Sequence, residues 1–85
     1  MNKTIEGVDI IVGIPSLNEA DNIAFVTKQL ARGLMEYFPN FTAMIINLDN
    51  NSKDGTREAF LSADTGNIPK KYISTDAFMV GKGNN

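Results

Sequence analysis

The run VDIIVGI, residues 8 to 14, places the strongest constraint on what this chain can become. It is short, β-branched and apolar at consecutive positions, so a strand made from it offers apolar side chains to both faces. That is the pattern of a buried strand in a parallel sheet. FTAMIINL at 41 to 48 is a second run of this kind, and KKYIST at 70 to 75 is a shorter third. Parallel neighbours cannot be joined by a tight hairpin; each pair needs a crossover, usually a helix.

The intervening segments supply two. Between Asp21 and Phe38, the residues Ile23, Val26, Leu30, Leu34 and Tyr37/Phe38 recur at steps of three and four, which predicts an amphipathic helix. Pro39-Asn40 stops it, and Gly33 weakens it slightly. At its start, Ser16 and Glu19 stand at capping-box spacing, and Asp21 is a second capping candidate. A second helix is predicted over 55 to 63, with Asp54 placed to cap it. TGNIP is a loop, and DAFMVGKGNN ends the chain. The reading is an α/β fold with a three-stranded parallel sheet in the order β-α-β-α-β and right-handed crossovers. No repeat or composition shift divides it, so residues 1–85 form one unit or part of one.

Composition removes several function classes. With no cysteine and no histidine, disulfide staples, the common zinc sites and a histidine-dependent triad are excluded. A net charge of -2 does not make the basic face a nucleic-acid binder needs. No apolar run approaches the roughly 20 residues that cross a bilayer, and MNKTIEGVDI lacks a secretory h-region, so the expected compartment is the cytoplasm. At 85 residues the core is marginal. Such a chain is expected to be well packed, oligomeric or a piece of something larger.

Ligands of open α/β sheets bind beyond the carboxyl ends of the strands. All three polar clusters, PSLNE, DNNSKDG and GKGNN, fall at or just after those ends. Other readings of these clusters fit less well. A calcium loop starting at Asn50 puts Leu61 where the bidentate Glu belongs. A dinucleotide fold needs GxGxxG after the first strand, where PSLNEA stands instead. A phospho-receiver would use Asp49, but it needs an acidic pair after the first strand and only Glu19 is present.

IPSLNEADN resembles the Pro-x-x-Asn-Glu motif of nucleotide-sugar glycosyltransferases with the GT-A fold, and LDNNSKDGT resembles their Asp-Asp-Gly-Ser-x-Asp-Gly-Thr. Asp49, Ser52, Asp54, Gly55 and Thr56 match the second motif, while Asn50 and Asn51 replace its second Asp and its Gly. Together with GKG near the end of the chain, the likeness covers about residues 8 to 85, and the PSLNEAD and GKG pairing looks most like glucosyl-3-phosphoglycerate synthases and similar sugar-transfer enzymes. It implies that Pro15, Ser16, Leu17 and Glu19 hold the base and ribose of a UDP- or GDP-type sugar donor. Glu19 would accept from the ribose hydroxyls, since a carboxylate is acceptor-only. Asp49, Asn50 and Ser52 would form the base-reading turn, with Asn50 offering donors and an acceptor. Lys82, between Gly81 and Gly83, would approach the diphosphate. The bland alternatives are helix caps for Ser16 and Glu19, a turn and cap for Asp54-Gly55-Thr56, and a plain tail for GKGNN.

The resemblance also implies a divalent cation, Mn²⁺ or Mg²⁺, held by an Asp-x-Asp motif across the diphosphate in the full enzyme. No Asp-x-Asp occurs in this sequence, so no cofactor is expected for this chain alone. The expected identity is the N-terminal nucleotide-binding part of a sugar transferase, inactive by itself. The alternative is a non-catalytic nucleotide-binding or regulatory module. In the GT-A strand order the first strand keeps one open, apolar edge here, which predicts a homo-oligomer paired through it.

Overall fold

A computed structural model of the chain describes residues 7–75. Its elements run β1 (Ile10–Ser16), α1 (Ile23–Tyr37), β2 (Ala43–Asp49), α2 (Thr56–Ser62) and β3 (Lys70–Ser74). All neighbours are parallel and the sheet order is β1-β2-β3, the α/β arrangement expected.

Register decides which side chains share a face. Val12, Ile45 and Lys70 lie in one row; Ile14, Asn47 and Tyr72 in the next; Ser16, Asp49 and Ser74 at the carboxyl end. Both helices pack over this face. The core gathers Ile14 and Ile45 from the strands, Ile23, Ala31 and Leu34 from α1, and Phe60 from α2. Two successive crossovers of one hand, stepping the same way across a sheet, put their helices on the same side. The opposite face carries Ile11, Met44, Ile46, Leu48 and Ile73, and no described helix covers it.

β1 corrects the first expectation. Among the described residues it is an edge strand, paired only with β2, and Ile11 is 45% exposed, so the burial on both faces that its apolar run predicts is incomplete. It also runs two residues past the predicted end at Ile14, through Pro15 to Ser16. The Ile10 N–H donates to Thr42 O and the Ser16 C=O accepts from Asn50 N, so the even residues of β1 face β2. The odd ones turn their backbone to the open edge. The N–H that Pro15 lacks would point away from any partner, so its ring costs the sheet no bond.

The stripe of α1 is also turned from the one expected. Its buried residues are Ile23, Thr27, Ala31 and Leu34, while Val26, Tyr37 and Phe38 are exposed. Small side chains at 27 and 31 let the helix axis approach the sheet, which rotates the bulkier Val26 outward. Ser16 and Asp21 do not cap this helix: its N-cap is Asn22, with no side-chain cap bond. Asp54 does serve α2, but from two residues before its start, one ahead of the N-cap Gly55. Its Oδ1 accepts from Thr56 N while Gly55, at φ 92°, makes the left-handed turn into the helix. At the other end of α2, the Lys70 ammonium donates to the carbonyls of Phe60, Leu61 and Ala63. Burial lowers its pKa, with Asp64 opposing.

Candidate functional site

The carboxyl ends of β1 and β2 carry the first two predicted loops, and the structure fastens them together. Asn18 N donates to Ser52 Oγ at 2.6 Å, and Lys53 N returns a bond to Asn18 Oδ1 at 3.1 Å. Glu19 N donates to Thr56 Oγ1 at 2.9 Å and Ala20 N to Asp54 Oδ2 at 3.1 Å. The clasp needs backbone at unusual angles on both sides. Asn18 and Asn51 sit at φ 50° and 56°, in the left-handed region where Asn is among the best-tolerated residues after glycine. Asn51 can therefore stand where the glycosyltransferase pattern has Gly.

Beneath the clasp lies a polar hub centred on Asp49, which is 0% exposed. Its Oδ1 accepts from Ser16 Oγ and Ser52 Oγ, each at 2.6 Å. Its Oδ2 accepts from Ser52 N at 2.9 Å and from Tyr72 OH at 2.6 Å. Asn47 extends the hub, donating through Nδ2 to Ser16 Oγ and to Ile14 O. Burial alone would push the Asp49 carboxyl up; the bonds from Ser16, Ser52 and Tyr72 outweigh it and bring the pKa to about 2. For Tyr72 the signs add. Burial raises the phenol, and its bond to the Asp49 charge raises it further, to about 12.

The hub divides the predicted site residues into two groups. Ser16, Asp49 and Ser52 bond to one another, so their side chains hold the turn together. With both oxygens taken and no exposure, Asp49 is not placed as a phospho-acceptor. Pro15, Leu17, Glu19 and Asn50 are exposed on the rim. Glu19 accepts weakly from Asn22 Nδ2 at 3.4 Å, and Asn50 Oδ1 accepts from Thr75 Oγ1 at 3.1 Å. A hollow of about 170 Å³ opens beside β1, with Ile14, Pro15, Ile23 and Val26 around it and Glu19 and Asn22 at its polar side. Gly81, Lys82 and Gly83 lie outside the described residues.

A larger cleft, about 470 Å³, lies at the other end of the sheet between Leu34, Phe38, Phe41 and Ile68. Among the described residues its polar side chains are Thr42 and Asn67, and no ionisable one lines it. Among the described residues, no group of three or more acidic side chains comes together to hold a metal ion. Asp49, the one buried carboxylate of the rim, already has both oxygens occupied by donors. These residues do not fit the divalent cation that the resemblance implies. No helix among the described residues is long and apolar enough to cross a membrane.

Sequence reading alone did not single out Asn18, Tyr72 or Thr75. Asn18 carried a signal, as an Asn beside a strand end, where left-handed turns are common. Tyr72 became visible only through register, which sets it beside Asn47 and one row from Asp49. Compared with family models, with curated proteins and with solved structures, the chain matches none.

Proposed function

We propose that this chain supplies the nucleoside-binding rim of a nucleotide-diphosphate-sugar glycosyltransferase. The supporting observation is the clasp between the two loops, which sets the exposed Glu19 and Asn50 on one rim above a rigid hub. In this reading Glu19 accepts from the ribose hydroxyls, Asn50 meets the base, and Pro15 and Leu17 give the apolar surface beside them. Ser16, Asp49 and Ser52 position the turn. Gly81, Lys82 and Gly83 approach the diphosphate. Sugar transfer calls on a divalent cation for the leaving diphosphate, so the chain by itself binds the donor without turning it over.

The absence of Asp-x-Asp from the sequence equally favours a second reading, a nucleotide-binding module with no transfer chemistry. Both readings carry self-association through the open edge of β1 with them.

The test is an amide-resolved NMR titration of the 85-residue chain with UDP and GDP, with and without Mg²⁺. Shifts confined to residues 15–19, 49–52 and 81–83 are expected. A folded chain that shifts nowhere overturns the proposal. Affinity indifferent to Mg²⁺ is expected under both readings, since the described residues do not fit that cation.

A further inference from the structure

The outer edge of β1 offers a complete pair of backbone groups at only two positions. Ile11 and Gly13 turn both N–H and C=O away from β2, because the even residues of the strand are the ones that bond to it. Beyond these two the edge has no donor in either direction. Pro15 lacks an N–H, and the Asp9 N–H is turned inward, to Thr42 O at 2.9 Å and Thr42 Oγ1 at 3.0 Å. Beside the same strand lies the hollow of about 170 Å³ walled by Ile14, Pro15, Ile23 and Val26. Val26 is 40% exposed, so an apolar branched side chain stands at its mouth.

Resting on the self-association that both readings above carry, we infer that this hollow is a docking site for a second copy of the chain, filled by the partner's Ile10 when the two β1 edges pair antiparallel about Val12. The donor pattern picks the register. Centred on Val12, Ile11 meets Gly13 in both directions, and every N–H and C=O of the two residues is used. Centred on Ile11, the Gly13 carbonyl would face Asp9, whose N–H is already taken. Centred on Gly13, the Ile11 carbonyl would face Pro15, which has no N–H. About Val12 the two positions without a donor, Asp9 and Pro15, fall opposite each other. Residues directly opposite in an antiparallel pair share a face. The register therefore sets the partner's Ile10 against Ile14, on the face that the helices cover. A dry cavity of about 150 Å³ takes a benzene ring, so the hollow has room for the branched end of one isoleucine. A two-fold axis repeats the contact, and each copy fills the hollow of the other. A foreign strand could use the same backbone groups; what commits the site to a copy of this chain is that its own register delivers an apolar side chain to both hollows at once.

The experiment uses the full 85-residue chain as an equal mixture of isotope-labelled and unlabelled copies. Isotope-filtered NOEs, which report only contacts between copies, are expected from the Ile10 methyls to those of Ile14 and Val26. Val26→Arg, at an exposed position of α1, places a charge in the hollow and leaves the edge bonds intact. The dimer dissociation constant measured by sedimentation should then rise about tenfold or more. Val26→Ile keeps the wall apolar and should dimerise as the unaltered chain does. Amide spectra of the variants show that the fold survives each change. A dimer without NOEs from Ile10 to Ile14 and Val26, or one whose affinity ignores Val26→Arg, overturns the inference and leaves self-association standing. A monomeric unaltered chain overturns both. The nucleoside rim is judged apart from either result, by the titration with UDP and GDP.

Discussion

Tyr72 on β3 donates its hydroxyl to Oδ2 of Asp49 on β2 at 2.6 Å, so the third strand helps hold the turn that joins the other two loops. The same carboxylate receives Ser16 from β1 and Ser52 from the second loop. One buried charge thus takes donors from all three strands or their ends, which fixes the rim to the sheet rather than leaving it to loop entropy. A hydrogen bond to a buried ion is worth roughly 1.5–3 kcal/mol when lost.

Tyr72→Phe removes one of these donors and keeps the ring, including its stacking beneath the Arg57 guanidinium. The remaining donors still serve the charge, so the expected loss is about 1–2 kcal/mol in urea unfolding. Asp49→Asn should cost more, at least about 2 kcal/mol, because its amide nitrogen would face Ser52 N–H or the serine hydroxyls as a second donor. Equal costs for the two variants would mean that the charge itself contributes little.

Acid should release the hub. The folded Asp49 has a pKa of about 2 against an ordinary 3.8, so it binds its proton more weakly folded than unfolded. Its contribution is complete above the unfolded value and disappears as pH falls from about 4 through 2; it amounts to roughly 2 kcal/mol. Unfolding free energy measured across that window should fall steeply for the unaltered chain. Asp49→Asn should flatten the slope by the share of this one group.

Much of this fold is legible in the residues themselves. The apolar runs name the three strands and the spacing between them names the helices, because burial and backbone period act locally. Local pattern does not determine structure where a distant partner decides. Ser16 reads as a helix cap, but Asp49, 33 residues away, takes its hydroxyl and keeps the residue in the strand. The first apolar run ends at Ile14, yet β1 continues through Pro15, whose place on an outer edge makes its missing N–H harmless. The α1 stripe depends on how closely the helix approaches the sheet, which Thr27 and Ala31 set and periodicity does not. The loops of the site were visible as clusters of turn residues, whereas their clasp, through Asn18, Ser52, Asp54 and Thr56, required the register of β1 against β2.

The two left-handed positions of the second loop should respond unequally to substitution. Gly55 has φ 92° and open space where a Cβ would stand, so Gly55→Ala pays in backbone strain alone, about 1–2 kcal/mol. Asn51, at φ 56°, already carries a side chain there, and Asn51→Gly relieves that angle at some entropic cost. It should lie within about 0.5 kcal/mol of the unaltered chain by chemical denaturation. A Gly55→Ala variant of unchanged stability would show that the turn into α2 takes another conformation in solution.

The open edge of β1 yields the last expectation. Only Ile11 and Gly13 direct both N–H and C=O outward, since Pro15 has no N–H to offer. Antiparallel pairing of two copies about Val12 would let each Ile11 exchange both bonds with Gly13 of the other copy, a self-complementary contact closed by a two-fold axis. Gly13→Pro removes one outward donor and touches no bond to β2, because the backbone of residue 13 faces away from that strand. The unaltered chain should therefore scatter light as a dimer at tens of micromolar, and Gly13→Pro as a folded monomer. A monomeric unaltered chain at that concentration would show that Pro15 and the short edge suffice to keep copies apart, and would end the edge-pairing proposal.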